Sequence, residues 1–129
     1  MQLIQTFSPL LGRVFISLIF IVAGIGKITA YSGTAGYMDS VGIPGILLPL
    51  VILTEIGGGV AVLLGFKTRL VAFLLAGFCV LSALIFHLDF NDQMQSLMFM
   101  KNIAIAGGFL FLVANGPGYY ALDNRFTAR

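Results

Sequence analysis

Four long stretches of this chain, residues 9–28, 46–66, 70–88 and 97–114, are apolar almost without interruption. Each is close to the roughly 20 residues a helix needs to cross the hydrocarbon core of a bilayer. Inside lipid only helices and closed barrels satisfy every backbone N–H and C=O. A barrel strand alternates apolar and polar residues, whereas these stretches are continuous, so they read as helices. The remaining composition allows little else. Of 129 residues, 59% are hydrophobic and 9% charged, with a mean hydropathy of +1.04. A soluble domain of this size carries about a quarter charged residues. The expectation is an all-α integral membrane four-helix bundle, one domain over 1–129, with the lipid bilayer as its first partner.

The same composition excludes several classes. The net charge is +2 and the seven basic residues are scattered, which does not suit nucleic acid. Cys79 is the lone cysteine, so neither an internal disulfide nor a CxxC redox pair can form. "ITAYSG" after the first apolar run weakly resembles a signal-peptide cleavage site, but no basic segment precedes the run and Arg13 lies within it. The first span is therefore expected to be retained.

The connections alternate in sign. Lys67 and Arg69 lie in "FKTRL", and Arg125 and Arg129 in the tail, whereas Asp39, Asp89 and Asp92 lie in the other two connections. The positive-inside rule then puts both termini in the cytoplasm. In the longer outer loop, a short amphipathic helix over 34–41 is expected on the membrane surface, ended by "GIPG". Pro49 would sit near the start of the second span or kink it.

Small residues recur at four-residue spacing: Gly57, Ala61 and Gly65, then Ala72 and Ala76, then Ala104 and Gly108. Such ridges let helices approach closely in lipid. The first is a candidate for contact within the chain or with a second copy, a homo-oligomer.

Charge inside the spans is the costly feature. Glu55, in "VILTEIGGGVAVLLG", lies about nine residues into the second span, roughly 13 Å deep at the helical rise. A lone carboxylate there costs several kcal/mol or becomes protonated, so it must face protein and a cation. The candidate partners are Lys27 and Lys101. On the expected topology Lys27, Glu55, His87 and Lys101 share the outer half of the membrane, and Arg13 alone lies in the inner half. A transport path finds little room among four short helices, and two other readings stand side by side. One is an ion pair that only fixes helix packing. The other is a small-molecule site in which Glu, His and Lys bind a quinone's carbonyls and handle its protons.

No metal is expected. His87 is the sole histidine, which rules out bis-histidine haem within one chain. Met94, Met98 and Met100 in "MQSLMFM" read as packing rather than as copper ligands.

A set of motifs then stands out in order: Arg13, "FIVAGIGKI" ending near Lys27, "GIPG", and "TEIGGGVAVLLGFKTRLVA". His87, "KNIAIAGG" with Lys101 and Asn102, and "NGPGYYALD" follow. Over nearly its full length the chain resembles the DoxX family of small bacterial membrane proteins. The resemblance implies a four-helix protein of the bacterial inner membrane. Some members are subunits of a thiosulfate:quinone oxidoreductase, others associate with membrane redox systems, and most have no assigned reaction. The family's recurring charged positions coincide with the cluster of Lys27, Glu55, His87 and Lys101, and Arg13 and Asn102 belong to the matching motifs. The resemblance thus implies a quinone-interacting or accessory component beside membrane oxidoreductase subunits, with no intrinsic cofactor and no assigned catalytic residue. The alternative is a non-catalytic structural or assembly protein.

Overall fold

The computed structural model describes residues 2–126, so Arg129 of the basic tail lies outside the described residues. Every regular element among them is helical: α1 (Gln2–Thr29), α2 (Tyr31–Ser40), a 3-10 turn (Gly45–Leu47), α3 (Leu48–Leu64), α4 (Thr68–Phe86), α5 (Gln93–Asn115) and α6 (Asp123–Phe126). Four of these, counting the 3-10 turn with α3, are long and apolar enough to span a membrane. The all-α membrane architecture expected from the sequence is thereby met.

Element ends follow local chemistry rather than hydropathy. α5 starts four residues before the apolar run because the Asp92 side chain accepts the Met94 N–H at 3.1 Å, an N-cap. α3 stops at Gly65, which takes the left-handed conformation at φ 72°. There Phe66 N donates to Ala61 O at 2.8 Å and Gly65 N to Val62 O at 3.1 Å, the paired bonds of a Schellman motif. Pro49 falls in the first turn of α3, where a missing N–H costs nothing. A helix is present where one was expected over 34–41: α2 begins three residues earlier and ends at Ser40.

The described chain divides into two compact units, residues 2–67 with 117–126, and residues 68–116. In the first, α1 and α3 run antiparallel. The buried faces are Arg13, Ser17, Phe20 and Gly24 on α1, and Leu48, Glu55, Gly59 and Val62 on α3. Each helix offers a glycine to the other. A Cβ on Gly59 would lie 2.8 Å from Ile21 Cγ1, 3.3 Å from Phe20 Cβ and 3.3 Å from Ser17 O. One on Gly24 would run into the Ile56 side chain.

The ridge expected at Gly57, Ala61 and Gly65 is not this contact. Gly57 is exposed, and a Cβ there would meet only Leu53 of its own helix, at 3.8 Å. Two residues turn a helix by about 200°, so Gly57 and Gly59 face nearly opposite ways. Gly65 serves the cap instead. Gly59→Ala should therefore destabilise the protein by about 1–3 kcal/mol through overpacking. Gly57→Ala should change its melting temperature in detergent little, and equal losses would refute the assignment of the packed face.

In the second unit α4 and α5 form an antiparallel hairpin closed by residues 87–92. Ala72, Ala76, Cys79 and Ala83 form the buried stripe of α4, so the small-residue expectation holds there. On α5 the buried residues are Ala106 and Phe109, while Ala104 is exposed and Gly108 half-buried.

Candidate functional site

The carboxylate of Glu55 meets Lys27. The Lys27 Nζ donates to Oε2 at 3.2 Å and lies in ion-pair contact with Oε1 at 2.9 Å, an oxygen that has no hydrogen bond of its own. The Glu55 side chain is 7% exposed and that of Lys27 29% exposed. Of the two candidate lysines, Lys27 is thus the partner. Its place follows from the fold. Lys27 lies in the last turn of α1, where the negative end of the helix dipole also favours a cation. Close packing of Gly24 against Ile56 and the Glu55 Cβ draws the two backbones together at this level. A side chain at Gly24 would push them apart.

Arg13 is occupied elsewhere, about 21 Å along α1 from Lys27 at the helical rise. Its Nη1 donates to Val62 O at 3.2 Å and Leu63 O at 3.0 Å, and its Nη2 donates to Tyr120 O. Val62 and Leu63 lie in the last turn of α3, whose carbonyls have no helical N–H ahead of them. The guanidinium completes that cap and ties the C-terminal segment to it. The tie continues as Leu122 N donates to Leu64 O at 3.0 Å and Asp123 N to Gly65 O at 2.8 Å. Asp123 Oδ1 accepts the N–H of Lys67 at 2.5 Å, holding that residue at a positive φ of 47°. Phe7 stacks on Tyr120 with ring centroids 5.6 Å apart. Arg13, which the sequence placed alone in the inner half of the membrane, has the geometry of a buried clamp on the end of α3.

The other candidates lie in the second unit. His87 follows α4 directly, its N–H donating to Ala83 O at 3.1 Å. Its ring tilts against Phe86 at a centroid distance of 6.5 Å, and its Nδ1 is buried without a hydrogen-bond partner. Lys101 is exposed on α5, with no ion pair among the described residues, and Asn102 beside it is half-buried. Sequence reasoning missed Gln95, whose Oε1 is also buried without a partner. The available signal was a polar residue in "MQSLMFM", a stretch judged by its methionines. Among the described residues no three His, Cys, Asp or Glu side chains converge as metal ligands.

The order of these positions can be set against known proteins. The DoxX family model matches residues 8–88, which takes in Arg13, Lys27, Glu55 and His87. The inner membrane protein YqjF of Escherichia coli (strain K12) is 50% identical over 123 residues, 95% of each chain. The inner membrane protein YphA of the same strain is 37% identical over 123 residues, 90% of this chain and 88% of its own. A Bacillus subtilis (strain 168) protein bearing the name "Putative oxidoreductase CatD" is 37% identical over 69 residues, 54% of this chain and 52% of its own. No solved structure matches. With the family model covering more than half of the sequence, and the YqjF likeness reaching past residue 88 into the "KNIAIAGG" and "NGPGYYALD" motifs, this integral membrane protein belongs to the DoxX family.

Proposed function

We propose that the protein is a multi-pass inner-membrane component of a membrane redox system, and that it engages a quinone. The observation that carries this reading is the buried, unpartnered Nδ1 of His87 at the end of a membrane-length helix. A buried polar atom without a partner costs about 1–3 kcal/mol, which a polar ligand would relieve. The end of a span near the headgroup region is where a lipid-soluble ring presents its oxygens. The names of the E. coli relatives support the inner membrane, and the name of the B. subtilis relative supports the redox class. Both termini are assigned to the cytoplasm on the exposed Lys67 and Arg69 of the short link, against the exposed Asp39, Asp89 and Asp92 of the other two. Alkaline phosphatase inserted at Asn91 should be active and the same reporter fused after Arg129 inactive; the reverse pattern would overturn the orientation.

Quinone carried through purification tests the ligand. Lipid extracts of the wild type in mild detergent should contain quinone in near-stoichiometric amount. His87→Ala should retain about tenfold less, the equivalent of one hydrogen bond. A wild-type extract holding no more quinone than that of an unrelated four-span protein would defeat the reading.

The Lys27–Glu55 pair favours a second reading. The ammonium hydrogen-bonds one carboxylate oxygen and ion-pairs with the other, an arrangement that suits a packing latch as well as a ligand site. On that reading the protein is a non-catalytic structural or assembly component.

A further inference from the structure

Arg13, Lys27 and Glu55 have partners inside the spans, and Lys101 has none. Its side chain is exposed and makes no hydrogen bond or ion pair among the described residues. α5 ends at Asn115, and about 20 residues cross the hydrocarbon, so the outer edge falls near Ser96. Lys101 then lies about five residues, roughly 8 Å, inside that edge. An ammonium at that depth is costly unless an anion meets it. The helix that carries it is also the least covered of the four. Only 11% of the apolar stretch of α5 is buried, against 22% to 28% in the other three spans, so α5 lacks a neighbour where it also lacks a counter-charge.

The surface beneath the ammonium is cleared for a helix. Lys101, Ala104 and Gly108 lie within about 60° of one another on α5. Ala104 is exposed and Gly108 half-buried, and a Cβ on Gly107 beside them would meet nothing within 4 Å. Small residues below a charge let a second backbone come close enough for a short carboxylate to reach it. Lipid phosphate would serve a lysine stem that turns outward, but it would leave the cleared strip and the bare face of α5 unused. A second copy does not fit either. Copies related by a two-fold axis along the membrane normal hold each residue at the same depth, so paired α5 faces would set Lys101 against Lys101. Glu55, the one carboxylate inside the spans among the described residues, is already held by Lys27. We infer that the Lys101 face of α5 receives a membrane-spanning helix of a partner protein that carries a carboxylate at the same depth. The inference rests on the protein being a component of an assembly, which both readings above share, and it requires neither quinone nor catalysis.

A synthetic leucine–alanine membrane helix with one aspartate about six residues from its end, at the depth of Lys101, and its asparagine twin are the probes. Binding is read in liposomes by energy transfer from a dye on Asn91→Cys to an acceptor on the peptide. Protein with Lys101 intact should bind the aspartate helix at least about tenfold more tightly than the asparagine twin, the discrimination of one charge-assisted hydrogen bond. Lys101→Met should bring the two within about twofold, and Lys101→Arg should keep the preference. Ala104→Leu, which fills the strip at an exposed position, should weaken both helices alike while leaving the melting temperature unchanged. Equal affinity for the two helices overturns the inference and leaves the ammonium to lipid phosphate. A preference that survives in Lys101→Met overturns it as well, since another cation is then responsible. Energy transfer between two labelled copies that Ala104→Leu abolishes would put a second copy on this face and also overturn it. Quinone in the lipid extract is a separate measurement, so the quinone reading can fail while the inference stands.

Discussion

Lys27→Met should be among the most damaging single substitutions in the protein, costing about 3–5 kcal/mol, because it leaves a carboxylate buried between helices without a counter-charge. The loss should be asymmetric. Glu55→Gln removes the charge from the deeper partner, and the surviving Lys27, 29% exposed, can turn its flexible stem toward the interface. That single change should therefore cost less than Lys27→Met. The double variant should lie within about 1 kcal/mol of the wild type, since neither charge then remains to be desolvated. Thermal midpoints in detergent for the two singles and the double form the cycle that measures the coupling. Losses that simply add would show that the 2.9 Å contact contributes nothing specific. Lys101→Met, exposed on α5, should leave the midpoint within about 0.5 kcal/mol of the wild type, as distant surface changes do.

Arg13→Leu should have an effect of similar size for a different reason. Three carbonyls, those of Val62, Leu63 and Tyr120, lose the guanidinium at once. Each buried carbonyl left unmet costs about 1–3 kcal/mol. Gly65 N still reaches Val62 O at 3.1 Å, so the total should fall near 3–5 kcal/mol rather than at the upper limit. The place of failure is specific. The segment from Gly118 to Asp123 is held by Arg13, by the Leu64 and Gly65 carbonyls and by Asn124, which donates to Gly118 O at 2.9 Å. Losing the first of these should loosen the segment before the α1–α3 contact melts. Limited proteolysis around Tyr119–Tyr120 should accelerate in Arg13→Leu under conditions where the melting curve still shows a folded core. Arg13→Lys should recover only part of the loss, because an ammonium lacks the planar fork that reaches three carbonyls in different directions. Cleavage as slow as in the wild type would refute the clamp.

The two largest effects thus come from charges inside the spans, and sequence located both without pairing them. Glu55 had to find a cation because lipid supplies neither water nor counter-ion, a constraint that depth alone imposes. Lys27 and Lys101 were equal choices on that argument. Depth is a one-dimensional quantity, whereas pairing depends on helix rotation and on which backbones touch. Gly24 and Gly59 decided that, and their spacing is indistinguishable in sequence from that of Gly57, which packs against nothing beyond its own helix. Arg13 shows the same gap. Its burial was implied by its position within an apolar run, but its acceptors are carbonyls, which every residue carries and no sequence marks.

By itself, the sequence determined the class and the count: four apolar runs, too long and too continuous for strands and too poor in charge for water, can satisfy their backbones only as membrane-length helices. The caps at Asp92 and Gly65 are local too, acting through bonds a few residues away, yet hydropathy marked neither, and Gly65 had been expected in a packing ridge. Tertiary structure alone decided that Lys27 holds Glu55 and that Arg13 closes α3 onto the C-terminal segment. Those outcomes depend on contacts between residues 28 to 107 positions apart, for which helical periodicity gives a face but not the neighbour that covers it.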